Sequence, residues 1–308
     1  MNRSMIILEF LLFPGLLFTA VAGLMTSWVD RKVTALVQMR VGPPFLQPFY
    51  DIRKLLIKET CVPEEGAIGL FLLAPLLGFA AVTVASMILW RTLLDLESTF
   101  VGDLIVLIYL LIIPALAVIL GSFASRNPLA SLGGSREVKL MIAYELPLVL
   151  AVLVPVIQAD SLRLGDLFSG PAPAASLSGV LALLVAIACT QAKLTIVPFD
   201  MPEAETELTG GVFIEYSGPP LAMFKLTRAM MLFTMPVFLV GLYFGGLVTG
   251  PGWWPKLLGF VIWFLLVAIT IVIRNTTPRV RTDQAVRFFW GPVSLVATLA
   301  VVLAWMGW

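Results

Sequence analysis

A chain of 308 residues that is 59% hydrophobic and 13% charged, with a formal net charge of +1, is not an ordinary soluble domain. Its near-neutral balance gives nucleic acid no footing, and the lack of any histidine excludes imidazole haem ligation, His-containing metal sites and His-based catalysis. Cys61 and Cys189 lie too far apart, without CxxC spacing, to build an iron–sulfur cluster or a zinc site within this chain.

Crossing the hydrocarbon of a bilayer takes about 20 apolar residues. The sequence predicts eight such helices, near 5–27, 67–90, 102–124, 138–158, 175–196, 218–247, 256–274 and 288–308. The expected class is all-α: a polytopic membrane protein of one domain over 1–308, with no internal repeat of the kind many transporters carry. The first run is longer than a signal-peptide core and passes into Trp28-Val29-Asp30-Arg31-Lys32 without a cleavage pattern, so it reads as a retained span. Every lysine and arginine except Arg3, Arg91, Arg163 and Lys256 falls at the loops after spans one, three, five and seven. The positive-inside rule then places the loops near 28–66, 125–139, 197–217 and 275–287 in the cytoplasm and both termini outside.

In the first of these loops, Arg40-Val41-Gly42-Pro43-Pro44 forces a turn, and residues 48–59 predict a short interfacial helix with Phe49, Ile52, Leu55 and Leu56 on one face. That helix reads equally as a lipid anchor or as a lid over a cavity. In span four, Glu145 is a lone membrane carboxylate about 10 Å deep, either functional or paired with Lys139 or a loop arginine. The segment 198–207 then places Asp200, Glu203, Glu205 and Glu207 together, and Glu215 follows. Glu203 and Glu207, four apart, would repel on one helical face unless they share protons or gain basic partners, with Lys193, Lys225 and Arg228 at hand. Thr209-Gly210-Gly211 and Ser217-Gly218-Pro219-Pro220 allow the backbone to bend back into the membrane, which implies a hydrated, charged funnel. The last loop, with Arg274, Arg279, Arg281 and Asp283, either enforces topology or docks an acidic partner. No dinucleotide-binding glycine motif is present, so a redox enzyme in its own right is excluded.

The stretch Val197-Pro198-Phe199-Asp200-Met201-Pro202-Glu203-Ala204-Glu205-Thr206-Glu207-Leu208, continuing to Glu215-Tyr216-Ser217, resembles the acidic loop of the family of the complex I membrane subunit called H in bacteria. That family includes mitochondrial NADH dehydrogenase subunit 1 and its counterpart in energy-converting NiFe hydrogenases. Asp30-Arg31-Lys32 with Arg40-Val41-Gly42-Pro43, Ile142-Ala143-Tyr144-Glu145-Leu146 and Pro278-Arg279-Val280-Arg281-Thr282-Asp283-Gln284 are similar to further motifs of the family, in order. The resemblance implies a non-catalytic coupling subunit of an oxidoreductase complex. In it Glu145, Asp200, Glu203, Glu205, Glu207 and Glu215 would form a carboxylate route, countered by Lys139, Lys193, Lys225 and Arg228. Arg31, Lys32, Arg40, Arg274, Arg279, Arg281 and Asp283 would lie where a peripheral redox arm docks.

The same resemblance places iron–sulfur clusters and a NiFe centre in partner subunits, with antiporter-like and small membrane subunits alongside in the cytoplasmic membrane. Two departures argue against a quinone headgroup pocket. The turn at Pro43 runs straight into Pro44-Phe45-Leu46-Gln47-Pro48 without the usual insert, and Thr195-Ile196 stands where quinone-reducing members carry Asn-Arg. Both favour the branch whose terminal acceptor is a proton or a sulfur compound, with a quinone-cavity subunit as the alternative. A stand-alone ion transporter is the reading from another class, and it expects an internal symmetry that the chain lacks.

Overall fold

The structure, a computed structural model, describes residues 8–203 and 205–308; the side chains of Glu205 and Thr206 also fall outside the described set. The expected start of span one at residue 5, Arg3 and the Glu205 carboxylate therefore lie outside the described residues. In chain order the helices are α1 (Leu16–Val37), α2 (Gln47–Ile57), α3 (Ile68–Leu94), α4 (Asp103–Ala124), α5 (Pro128–Ala159) and α6 (Leu164–Ser169). They continue as α7 (Leu177–Lys193), α8 (Glu205–Leu208), α9 (Pro219–Val248), α10 (Trp253–Thr276), α11 (Thr282–Phe288) and α12 (Ser294–Trp305). No strand occurs among the described residues.

Seven helical stretches are long and apolar enough to cross a bilayer among the described residues, the first running Leu8–Val37 and the last Thr282–Trp305. Where the sequence predicts the remaining span, near 175–196, the structure has a shorter apolar helix, α7, of 17 residues, about 26 Å at 1.5 Å per residue. The chain is an all-α polytopic membrane protein. Helix α9 is the hub: it packs against α1, α3 and α10, and nearly every residue from Ala229 to Tyr243 is buried. A helix apolar all round is what such a central position requires. Helix α5 is the second hub, with α4, α7 and α12 against it.

Local chemistry sets the ends that matter. Asn127 caps α5, its side chain accepting from Leu129 N, and Pro128 takes the first turn, where a missing N–H costs nothing. This start lies ten residues earlier than the hydropathy pattern predicts, so much of the expected 125–139 loop is helical. Glu145 thus stands 17 residues from Pro128, about 26 Å along the helix. Likewise α1 runs to Val37, which makes Asp30, Arg31 and Lys32 helical residues instead of loop residues. Helix α12 is joined to α11 through a π-helical turn, Phe289–Val293, around Pro292, whose missing N–H breaks the regular ladder.

Helix α2 forms where the amphipathic pattern predicts it. Phe49, Ile52 and Leu55 are half-buried as expected, but Leu56 is exposed. Asp51 faces α1 and accepts from Arg31 at 2.7 Å and from Gln47 at 2.9 Å, latching α2 down.

Candidate functional site

The 194–218 segment is irregular because its backbone repeatedly adopts left-handed angles: Thr195 at φ +49, Thr209 at +52, Gly210 at +111, Gly211 at +54 and Gly218 at +66. Glycine takes these angles freely; a β-branched threonine does not, so Thr195 is strained. Hydrogen bonds from neighbouring elements hold the segment, among them one from Gln191 Nε2 to Val197 O at 2.7 Å. Arg228 Nη2 donates to Thr195 O at 2.8 Å, and Val280 N donates to Pro198 O at 3.0 Å. Gly133 on α5 provides a flat seat, where a Cβ would meet Pro202 O at 2.8 Å and Val212 N at 2.9 Å.

Among the described residues, the carboxylates expected from sequence are distributed along the protein, each with its own partner. Asp200 is held by Arg279, Glu203 by Arg228 at 2.6 and 2.5 Å, and Glu207 by Arg136 at 2.7 Å. Glu215 accepts from Asn127 Nδ2 at 2.6 Å. Glu203 and Glu207 therefore do not face one another. Glu145 pairs with Lys193 Nζ at 2.5 Å, one of the counter-charges expected from sequence, while Lys139, another partner the sequence offers, is exposed. Asp30 pairs with Arg274 at 2.5 Å.

Three cavities meet this network in series. The largest, about 560 Å³, is walled by Asp30, Arg31, Asp200, Glu203, Lys225 and Arg228, with Arg274 and Arg279 completing its charged rim. Leu194, Thr195, Glu203 and Arg228 separate it from a second cavity of about 60 Å³, which Glu137 and Lys193 also line. Lys193 in turn borders a third, apolar pocket of about 10 Å³ beside Leu148, Val152 and Phe238. Charge thus runs from an open basin past one arginine–glutamate pair to a buried lysine, and ends where the lining becomes apolar.

Of the residues expected from sequence at a docking face, Arg31, Arg274 and Arg279 are engaged with acids within the protein, and Lys32 donates to Val41 O at 2.7 Å. Arg40, Arg281 and Asp283 are exposed on the same face, and Lys225 is exposed on the cavity wall. Sequence reasoning missed Glu137, which is 2% exposed on α5, with no ion-pair partner among the described residues and with Oε2 buried and unbonded. The signal was present: Glu137 lies eight residues before Glu145, but the nearby Arg136 and Lys139 made the stretch look like a solvated loop. Among the described residues no group of three or more His, Cys, Asp or Glu is placed to hold a metal ion.

A family model described as NADH dehydrogenase matches residues 9–305. The H subunit of NADH-quinone oxidoreductase from Brevibacillus brevis is 34% identical over 316 residues, covering 96% of this chain and 92% of that protein. Its counterpart from Geobacillus thermodenitrificans is 36% identical, covering 92% and 90%. Among solved structures, a chain of the membrane-bound sulfane sulfur reductase, an archaeal respiratory membrane complex, superposes with a TM-score of 0.80. It covers 94% of this chain and 96% of its own at 21% identity, which speaks for the fold.

Proposed function

The chain belongs to the NADH dehydrogenase family, that of the H subunits of NADH-quinone oxidoreductase, and from that membership we propose that it couples electron transfer in a docked redox arm to ion movement through its carboxylates. As a subunit of a complex I-related membrane complex it acts in electron transport without a redox centre of its own being needed. The observation that carries the coupling reading is the wall shared by the charged basin and the smaller, mostly apolar cavity, with Glu203 and Arg228 lining both and Glu137, Lys193 and Glu145 behind it. Carboxylates without enough counter-charge in a low-dielectric setting respond strongly to nearby charge, and that is what a coupling element must do.

In this reading the face bearing Arg40, Arg281 and Asp283, with Arg31, Lys32, Arg274 and Arg279 beneath it, receives a cluster-bearing peripheral arm. A NiFe-like large subunit belongs to that arm, and antiporter-like and small membrane subunits pack alongside. The chain sits in the cytoplasmic membrane with both termini outside. The acceptor is a proton or a sulfur compound; the eight charged residues among those that line the 560 Å³ basin support this, since small-molecule pockets are mostly apolar. The volume of that basin, and the quinone in the relatives' names, favour a second reading in which a quinone headgroup enters there.

The test is Glu145→Gln in the intact complex reconstituted in proteoliposomes. Ions moved per electron should fall while electron transfer to artificial acceptors continues. Normal stoichiometry in this variant would return Glu145 to a structural ion pair.

A further inference from the structure

Lys193 closes α7 at the junction of two cavities. It lines the 60 Å³ cavity with Glu137, Glu203 and Arg228, and it lines the apolar pocket beyond. Its side chain is 1% exposed, and its Nζ donates to Glu145 Oε1 at 2.5 Å, with the Tyr144 ring 5.3 Å away. An ammonium has three donors, so this one is under-used. Demand is unmet on the acceptor side as well: Glu145 Oε2 and Glu137 Oε2 are both buried without a hydrogen-bond partner. Arg228 is committed to Glu203 and Thr195. A buried carboxyl, Glu137, and a partly buried one, Glu145, therefore compete for one buried ammonium, and a carboxyl left there without a cation neutralises by taking up a proton.

We propose that Lys193 is a two-position cation that pairs alternately with Glu145 and Glu137, and that its position decides which of the two carboxyl groups is ionised. This rests on the coupling reading above and assigns its moving part. With Nζ on Glu145, as here, Glu137 carries the proton. When the flexible lysine stem carries Nζ across the 60 Å³ cavity, Glu137 gives its proton to water in that cavity, which has room for several molecules. Glu145, partly exposed and now without its cation, takes up a proton from outside the trio. Lys193 keeps all three of its protons and the charge of the trio is unchanged. One proton leaves towards the Glu203 basin for each one taken up at Glu145.

The experiment uses the intact complex in proteoliposomes, carrying Lys193→Arg, Lys193→Gln, Glu137→Gln or Glu145→Gln in turn. A planar guanidinium that grips Glu145 with two donors holds its charge but is pinned. Lys193→Arg should therefore assemble, while ions moved per electron fall on the order of 100-fold, the size of a lost proton-transfer group. Lys193→Gln should fall similarly. Infrared spectra of the unmodified complex should show a protonated carboxyl C=O band that Glu137→Gln removes. Should the lysine variants fail to assemble, this band decides alone, and its persistence in Glu137→Gln overturns the proposal. Full translocation by Lys193→Arg, with both glutamine variants defective, removes the moving lysine and leaves the coupling reading intact. Normal translocation by Glu145→Gln removes the reading beneath it.

Discussion

Arg279 grips Asp200 with two parallel hydrogen bonds, Nε to Oδ1 at 2.7 Å and Nη2 to Oδ2 at 2.5 Å. The pair joins the last loop to the acidic segment, and the backbone bond from Val280 N to Pro198 O beside it doubles the seam. An arginine that sequence alone would offer to a docking partner is thus also a structural clamp on the first carboxylate of the site. In the docking reading proposed above, a signal reaching the 278–283 loop would pass to Asp200 through a bidentate contact, which adds geometric specificity to the pair.

Arg279 and Arg281 should therefore separate in mutagenesis. Arg279→Gln breaks the clamp and should loosen the acidic segment, with a coupling to Asp200→Asn of about 1–3 kcal/mol in a double-mutant cycle read from thermal melting. Arg281→Glu touches no such contact and should leave melting unchanged while weakening retention of the peripheral arm on native gels. Equal effects of the two variants on both readouts would show that the two arginines do one job.

Gly211 should tolerate no side chain. Its φ of +54 is left-handed, and a Cβ would sit 2.0 Å from Pro202 O. Gly211→Ala should lower stability by about 1–3 kcal/mol and open the 203–211 stretch to protease. Gly69→Ala, where a Cβ meets nothing within 4 Å, is the matched control and should melt as the parent does.

Thr195 offers the opposite sign. Its left-handed φ of +49 costs a β-branched residue about 1–2 kcal/mol, and asparagine tolerates that region better. Thr195→Asn should raise the melting temperature, provided that the bond from Arg228 to the residue 195 carbonyl is kept. A lower melting temperature would show that the threonine side chain, whose Oγ1 donates to Leu194 O at 2.8 Å, is worth more than the strain.

The latch between α1 and α2 should depend on pH. Burial pushes the Asp51 carboxyl up, but hydrogen bonds from Arg31 and Gln47 outweigh it, and the group titrates below the usual carboxylate value. A lowered carboxyl contributes stability that is fully present above its unfolded value and is lost as pH falls through its folded one, so the latch should hold at neutrality and weaken below about pH 4. A spin label at residue 53 should report α2 as immobile until that point and mobile beneath it. In Asp51→Asn the transition should vanish.

The spans were legible because apolar length alone identifies them, and the acidic segment was legible because charge there is costly enough to be noticed. Pairing was not. Glu203 and Glu207 are spaced as if to share a helical face, yet Glu203 lies in a turn before the short α8 and Glu207 within α8, so that one meets Arg228 on α9 and the other Arg136 on α5. The start of α5 was hidden too, because Arg136, Glu137 and Lys139 lower the local hydropathy. In the fold Arg136 and Lys139 point away from the core, while Glu137 points into it. Spacing along one helix cannot reveal which of three neighbouring charges faces a cavity made by two other helices.

Glu137 is where that omission has consequences for function. It is buried more deeply than Glu145, has no ion-pair partner among the described residues, and lies between the Arg228–Glu203 pair and Lys193. A carboxyl retained in such a place for stability alone would be better replaced by an amide, which cannot ionise and needs no counter-charge. Glu137→Gln should therefore fold at least as stably as the parent, with an equal or higher melting temperature. It should nonetheless lose most of its ions moved per electron in proteoliposomes. Because glutamine keeps a neutral hydrogen-bonding end, that loss excludes a role confined to such bonding, and Glu137→Leu, close in volume but without a polar end, should lose coupling as well. If Glu137→Gln melts several degrees lower and still couples normally, Glu137 is a structural acid whose partner forms only in the assembled complex, and the route from the basin to Glu145 must pass through Lys193 without it.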